Sequence, residues 1–275
     1  MAETPGRPLI IAHRGARSLA PENTLAAARK ALELGADMWE LDVGMTADGE
    51  LVVIHDSTLT RTSNANKIFP RRPPWSLHEF TLEELKRLDF GTWFVEEDPF
   101  GQIAAGAALP AELETYRGEP APTLRQALGF TRDRNWRVNV EIKDLRATPG
   151  DSQVVSKVVA LLEELDVVDR VLVSSFNHRY LKEVRERNAA IVTGALVNKP
   201  HSDPASLLHE LGAQAYHPSV SAIRRSEITR LCKEGFQVNV WTVNDPKLMR
   251  SLVKAGAGGI FTDFPQLLRP LVSGP

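Results

Sequence analysis

The chain holds one cysteine, Cys232, and that scarcity already narrows its chemistry. A lone thiol excludes an internal disulfide and a cysteine-rich metal site, and it fits a reducing compartment. An excess of one charge sign is missing too: 33 Lys and Arg stand against 35 Asp and Glu, for a formal net charge of −2. No basic stripe with interleaved aromatics is present, which argues against nucleic acid as a partner. No apolar run approaches the length of a membrane span, and no apolar leader core precedes Leu9. The expected location is the cytoplasm. Repeats and low-complexity tracts are absent as well. What is there is 275 residues, 25% of them charged, which suits a single α/β domain over 1–275.

The stretch from Met38 to Asp56 organises the rest. Trp39, Leu41 and Val43 alternate with Glu40 and Asp42. On a strand, residues two apart share a face, so both carboxylates point the same way. Such a pair repels unless something positive lies between, and a hard divalent cation bound by oxygen is the usual answer. Taken alone, the alternation also fits an ordinary half-buried strand with a wet face. Asp48-Gly49 is a turn signal, so Leu51–Ile54 can fold back as a hairpin arm. That return brings His55 alongside the two acids.

Elsewhere, Leu9–Ala12 reads as a short strand delivering His13 and Arg14 at its end. Asn23 or Thr24 can cap a helix over 25–34, with Gly35 at its end. Residues 57–122 are rich in proline and aromatics, with one short helix over 82–88 capped by Thr81 and Glu84. The segment is too long for a plain connection, and it is expected to form a lid or wall over the site. From Thr123 onward strands and helices alternate regularly to the end of the chain. Too few residues separate Val43 from Leu51 for a parallel crossover. Setting that hairpin arm aside leaves eight parallel strands. The expected fold is therefore a (β/α)8 TIM barrel with an inserted lid-like segment after the second strand and its hairpin. A doubly wound sheet is the runner-up. In a barrel the site lies at the carboxyl ends of the strands. His13, Glu40, Asp42, Glu141, Lys143, Phe176, Trp241 and Asp263 all fall there.

In order along the chain stand His13-Arg14-Gly15, Pro21-Glu22-Asn23-Thr24, Glu40-Leu41-Asp42 and His55-Asp56. Glu141-Ile142-Lys143, Ser175-Phe176, Trp241-Thr242-Val243-Asn244 and Thr262-Asp263-Phe264-Pro265 follow. This ordered set resembles the glycerophosphodiester phosphodiesterase family over nearly the whole chain. The resemblance implies a metal-dependent barrel enzyme that cleaves glycerophosphodiesters to sn-glycerol 3-phosphate and an alcohol. It implies Glu40, Asp42 and Glu141 as ligands of one divalent ion, Mg²⁺ or Ca²⁺. It implies His13 and His55 as the acid–base pair, Arg14 and Lys143 near the phosphate, and Trp241, with Phe176, beside the glycerol pocket. Ser63-Asn64-Ala65-Asn66 departs from the glycine-containing loop of many relatives, which bears on the leaving group.

The residue types suit that chemistry. A phosphodiester is anionic, so attack on phosphorus needs charge neutralised and the leaving alkoxide protonated. A carboxylate-held cation does the first, helped by Arg14 and Lys143. Two histidines do the second. Which is base and which acid stays open, as does a cyclic phosphate against direct attack by water. His78, His178, His201, His209 and His217 are expected to be structural or at the surface. A lysophospholipase D-like or cyclising phosphodiesterase is the alternative, favoured if Trp75, Phe80, Trp93 and Phe94 build an apolar rim. A non-catalytic phosphoglycerol-binding barrel is a remote one. The expected partner is the small glycerophosphodiester itself, and a homodimer is left open.

Overall fold

In the computed structural model, which describes residues 6–272, the apolar face of Met38–Met45 (β2) decides how the sheet packs. Trp39, Leu41 and Val43 are fully buried in the main apolar cluster. Trp39 stacks on Trp136 with ring centroids 6.3 Å apart, and its indole N–H donates to Thr131 Oγ1 at 2.9 Å. With that face turned towards the helices, strand alternation sends Glu40 and Asp42 into the interior of the sheet, where both are buried.

The other strands are β1 (Leu9–Ala12), β3 (Leu51–Val53), β4 (Arg137–Ile142), β5 (Val171–Ser175), β6 (Val192–Val197), β7 (Ala215–Pro218), β8 (Gln237–Val240) and β9 (Gly259–Thr262). They lie in the order β1-β9-β8-β7-β6-β5-β4-β2-β3, and β1 also pairs with β2. That last pairing closes eight parallel strands into a barrel and excludes the open doubly wound sheet. A helix follows each parallel strand, from Leu25–Glu33 after β1 to Pro265–Val272 after β9. The fold is a TIM barrel.

Strand β3 runs antiparallel to β2 and takes over its edge where β1 stops. Ala12 is the last β1 residue on that edge, opposite Trp39, and Val53 sits opposite Val43. The hairpin thus carries the chain directly to the rim. Ile54 N–H donates to the Asp42 carbonyl at 3.0 Å, which places His55 next to the acidic strand.

Local signals account for most boundaries. Thr24 caps the first helix by accepting from Ala27 N–H at 3.2 Å, and Gly35 follows it at φ +73°, a left-handed position that suits glycine. Thr81 and Glu84 form the expected capping box, but their helix stops at Leu85 rather than at 88. The helix after β5 spans His178–Arg187.

Residues 57–122 pack into two apolar clusters. One joins Leu59, Leu77, Phe80, Leu85 and Phe90 to Val52 and Ile54 of the hairpin arm. The other sets Phe94 and Tyr116 against Ala20, Ala26 and Ala27. This packing counts against the apolar rim that would favour the lipid-directed alternative. Phe80 and Phe94 are fully buried, and the indole N–H groups of Trp75 and Trp93 donate to the Phe69 and Phe90 carbonyls. The segment needs its own core, and these rings supply it. Among the described residues no helix is long and apolar enough to cross a membrane.

Candidate active site

Three carboxylates meet inside the barrel mouth. Glu40 and Asp42 come from β2 and Glu141 from β4, where Asp42 and Glu141 are register partners. One oxygen from each lies within 4.8 Å of the others. Lys143 Nζ bridges two of them, at 3.1 Å from Asp42 Oδ1 and 2.7 Å from Glu141 Oε1. Arg14 approaches from the β1 end: its backbone N–H donates to Glu40 Oε2 at 2.8 Å, and its Nε lies 3.3 Å from Asp42 Oδ2. Arg14 sits at φ +56°, a left-handed conformation costly for a non-glycine residue. Gly15 follows at φ +81°, where a Cβ would strike the Ala27 backbone at 2.6 Å.

Each histidine is held at Nδ1 by its own carboxylate. His13 Nδ1 lies 2.7 Å from Asp263 Oδ1, and His55 Nδ1 lies 2.6 Å from Asp56 Oδ1. A carboxylate accepts, so Nδ1 donates and Nε2 is the nitrogen left to exchange a proton. Asn244 steadies the first pair: its Nδ2 donates to Asp263 Oδ2 at 2.7 Å and its Oδ1 accepts from Asp263 N–H at 3.0 Å.

Phe176 and Trp241, just past the ends of β5 and β8, stand edge to face with centroids 5.5 Å apart. The Trp241 indole N–H is anchored on the His217 carbonyl at 2.8 Å. Phe176 is 40% exposed, unusual for a large apolar residue in this chain. A cavity of about 800 Å³ opens around Leu9, Met38 and Leu172, at the opposite end of the strands, and none of the groups above lines it.

The family model described as the glycerophosphoryl diester phosphodiesterase family matches residues 13–267. The chain belongs to this family. A glycerophosphodiester phosphodiesterase of Caldanaerobacter subterraneus subsp. tengcongensis is 36% identical over 265 residues, covering 96% of this chain and 97% of that protein. One from Bacillus altitudinis is 33% identical, covering 93% and 94%. An Oleispira antarctica phosphodiesterase, solved in complex with the product sn-glycerol-3-phosphate, superposes with a TM-score of 0.82 at 26% identity, covering 98% of both chains. The protein is accordingly a glycerophosphodiester phosphodiesterase.

The electrostatics of this phosphodiesterase fit a cation among its three acids. Burial, then repulsion from Asp42 and Glu141, pushes the Glu40 carboxyl well above its ordinary range. Burial and Asp42 push Glu141 up as well. Burial opposes ionisation of Asp42 too, but Lys143 and Arg14 hold it well below the carboxylate range. One ammonium and one guanidinium thus leave part of the cluster uncompensated, and hard carboxylate oxygens are the donor type that a divalent ion of this class takes. The triad can bind a metal ion.

The site residues named from sequence therefore gather at one end of the barrel: His13, Arg14, Glu40, Asp42, His55, Glu141 and Lys143 around the acids, Phe176 and Trp241 at the strand ends beyond. Several contributors stood in the sequence motifs without these roles. Asp263 and Asp56 orient the histidines, and Asn23 contacts Asp42 instead of capping the helix. Glu22 gathers three arginines, Arg14, Arg17 and Arg61. A signal existed for the last: an acid at 22 close to arginines at 14 and 17, in a segment rich in alanine and leucine.

Proposed function

We propose that the protein hydrolyses glycerophosphodiesters to sn-glycerol 3-phosphate and an alcohol, with His13 and His55 as acid–base pair and Glu40, Asp42 and Glu141 holding Mg²⁺ or Ca²⁺. The observation that carries this reading is the pair of histidine–carboxylate contacts beside a buried three-carboxylate cluster. Family membership supports the substrate class, as does the product held by the Oleispira antarctica neighbour.

A hard divalent ion bound there supplies Lewis-acid charge to a phosphoryl oxygen. The chain's own groups do the rest. Arg14 and Lys143, already at the acids, offer positive charge to the phosphate. Burial, and the charges of Arg14 and Arg17, lower the pKa of His13 against the pull of Asp263, which favours its neutral form, the one that accepts a proton. We therefore assign His13 as the base that takes the proton of the glycerol 2-hydroxyl. The freed oxygen bonds to phosphorus, the bond to the alcohol oxygen breaks, and His55 gives its Nε2 proton to the departing alkoxide. Water then opens the cyclic phosphate with the two roles exchanged.

Phe176 and Trp241 suit the apolar edge of a glycerol-sized pocket, one ring exposed at the mouth and the other anchored behind it. Residues 57–122 serve as a wall: their two apolar clusters anchor them to the barrel flank, and Phe100 packs on Phe264 with centroids 5.6 Å apart. With Phe80 and Phe94 committed to those clusters, nothing here favours a lipid-specific rim.

The test is release of sn-glycerol 3-phosphate from glycerophosphocholine and glycerophosphoethanolamine, after EDTA and again with Mg²⁺ or Ca²⁺ restored. Metal-restored release is expected. Release that survives chelation would overturn the metal, and accumulation of a cyclic phosphate alone would overturn the hydrolytic product.

A further inference from the structure

Glu22 is almost completely buried, its side chain 2% exposed, yet it touches three guanidinium groups. Arg14 Nη1 lies 2.9 Å from Oε1, and Arg17 Nη2 lies 3.1 Å from Oε2. Arg61 is bidentate, with Nη2 at 2.6 Å from Oε1 and Nη1 at 3.1 Å from Oε2. Neither the metal cluster nor the histidine pair includes Glu22, so a buried carboxylate here calls for a reason.

The reason lies at the far end of each arginine. Arg14 Nε reaches Asp42, in the metal cluster, at 3.3 Å. Arg17 Nε reaches Asp263, which holds His13, at 3.8 Å. Arg61 Nε reaches Asp56, which holds His55, at 2.6 Å. One carboxylate is thus joined through three arginines to three acids, each serving a different part of the site. Arg61 comes from the start of the 57–122 segment, Arg14 and Arg17 from the loop after β1. The node therefore ties together stretches of chain that no strand pairing connects.

We propose that Glu22 is the positioning residue that sets His13 and His55 relative to each other and to the metal cluster. Arg61 is hydrogen-bonded to both of its acids, whereas Arg14 and Arg17 contact Glu22 directly and face their outer acids through charge. Planar guanidinium groups set between two acids have little freedom, which suits them to transmitting geometry. Two ends of a proton relay must sit within a fraction of an ångström of their working places. Removing the node frees three arginines at once and leaves them with their outer acids alone. Asp263 and Asp56 are then drawn towards unanchored cations, and both Nδ1 contacts loosen together. Cutting one spoke loosens one contact.

The proposal rests on the histidine roles assigned above, so its main readout does not depend on turnover. In the metal-loaded enzyme, the Nδ1 protons of His13 and His55 are followed by NMR as hydrogen-bonded imidazole resonances, assigned with His13→Ala and His55→Ala. Glu22→Gln, which keeps the shape and removes the charge, is expected to shift both resonances and lower kcat tenfold or more with KM within threefold. Arg17→Met is expected to shift the His13 signal only, and Arg61→Met the His55 signal only. Unmoved resonances in a folded Glu22→Gln, or activity lost only in proportion to unfolded protein, would overturn the proposal. If Glu22→Gln does not fold, the two arginine variants decide: separate shifts support the node, and no shift in either overturns it. Activity retained in His13→Ala or His55→Ala would sink the catalytic reading while leaving the resonance test intact.

Discussion

Asn23 holds Asp42 by both ends of its amide: Nδ2 donates to Asp42 Oδ2 at 2.9 Å, and Oδ1 accepts from the Asp42 backbone N–H at 3.2 Å. The residue beside the helix cap is thereby spent on the acidic cluster. It does so from φ +59°, a left-handed backbone that asparagine tolerates better than most residues. Conformation and hydrogen bonding can be separated by substitution. Asn23→Gly keeps the backbone and loses both bonds, leaving buried polar groups of Asp42 short of partners, at about 1–3 kcal/mol. Asn23→Ala adds strain of about 1 kcal/mol. Chemical denaturation is expected to rank them wild type, glycine, alanine. Alanine equal to glycine would show that the backbone is not strained there.

The two Nδ1 contacts predict the effect of removing a proton-holding carboxylate without its histidine. Asp263→Asn and Asp56→Asn replace an acceptor-only group by an amide that can also donate, which permits the wrong tautomer. Each is expected to cut kcat by about 10²-fold, with His13→Ala and His55→Ala cutting it further. Steady-state kinetics on glycerophosphocholine checks both pairs. Near-normal kcat in either asparagine variant would mean that its histidine does not need orienting.

How much of this was legible beforehand depends on what each residue answers to. The acids of β2 could be read because strand alternation is local: Trp39 and Leu41 must face the helices, so Glu40 and Asp42 cannot. Closure was legible from the count of strands and the shortness of the Val43–Leu51 link. Arg61 answers to Glu22, 39 residues away along the chain, and no spacing announces it; Glu22 and Arg17 stand close in sequence, but only the fold shows that they touch. Asp263 stood out by position at a strand end, but its grip on His13 requires the two ends of the chain to meet, through β1 pairing with β9. Which of the aromatics of 57–122 pack down was not legible, because composition says how much apolar surface there is and not which way it faces. Phe80 and Phe94 face in.

The acidic triad predicts a metal-dependent gain in stability. An ion that binds only the folded chain stabilises it by about 2.7 kcal/mol at a hundredfold excess over its Kd. Chelation is expected to lower the melting temperature, and added Mg²⁺ or Ca²⁺ to restore it. Glu40→Gln removes one charged oxygen donor while keeping the shape, so it is expected to weaken binding and shrink that rise. Calorimetric titration with the metal measures the affinity directly. Unchanged affinity in Glu40→Gln would remove Glu40 from the ligand set.

His217 predicts a pH dependence of stability separate from the active site. It is fully buried in the barrel between Gly194, where a Cβ would meet its ring at 2.7 Å, and Phe261. Its Nε2 pairs with Asn239 Nδ2 at 3.0 Å, so that nitrogen accepts, and its Nδ1 has no partner among the described residues. Burial lowers its pKa from 6.5 to about 3. Below 6.5 the unfolded chain therefore binds a proton that the folded chain refuses, and stability falls as pH falls through that window. The contribution is complete above 6.5, and about 2 kcal/mol of it is lost by about pH 5. His217→Gln cannot titrate there. Urea denaturation of both proteins from about pH 7 to about pH 5 is expected to show the stability gap between them shifting by that amount, in the direction of wild type losing more. A gap independent of pH would mean that His217 takes up its proton in the folded barrel as readily as in the unfolded chain.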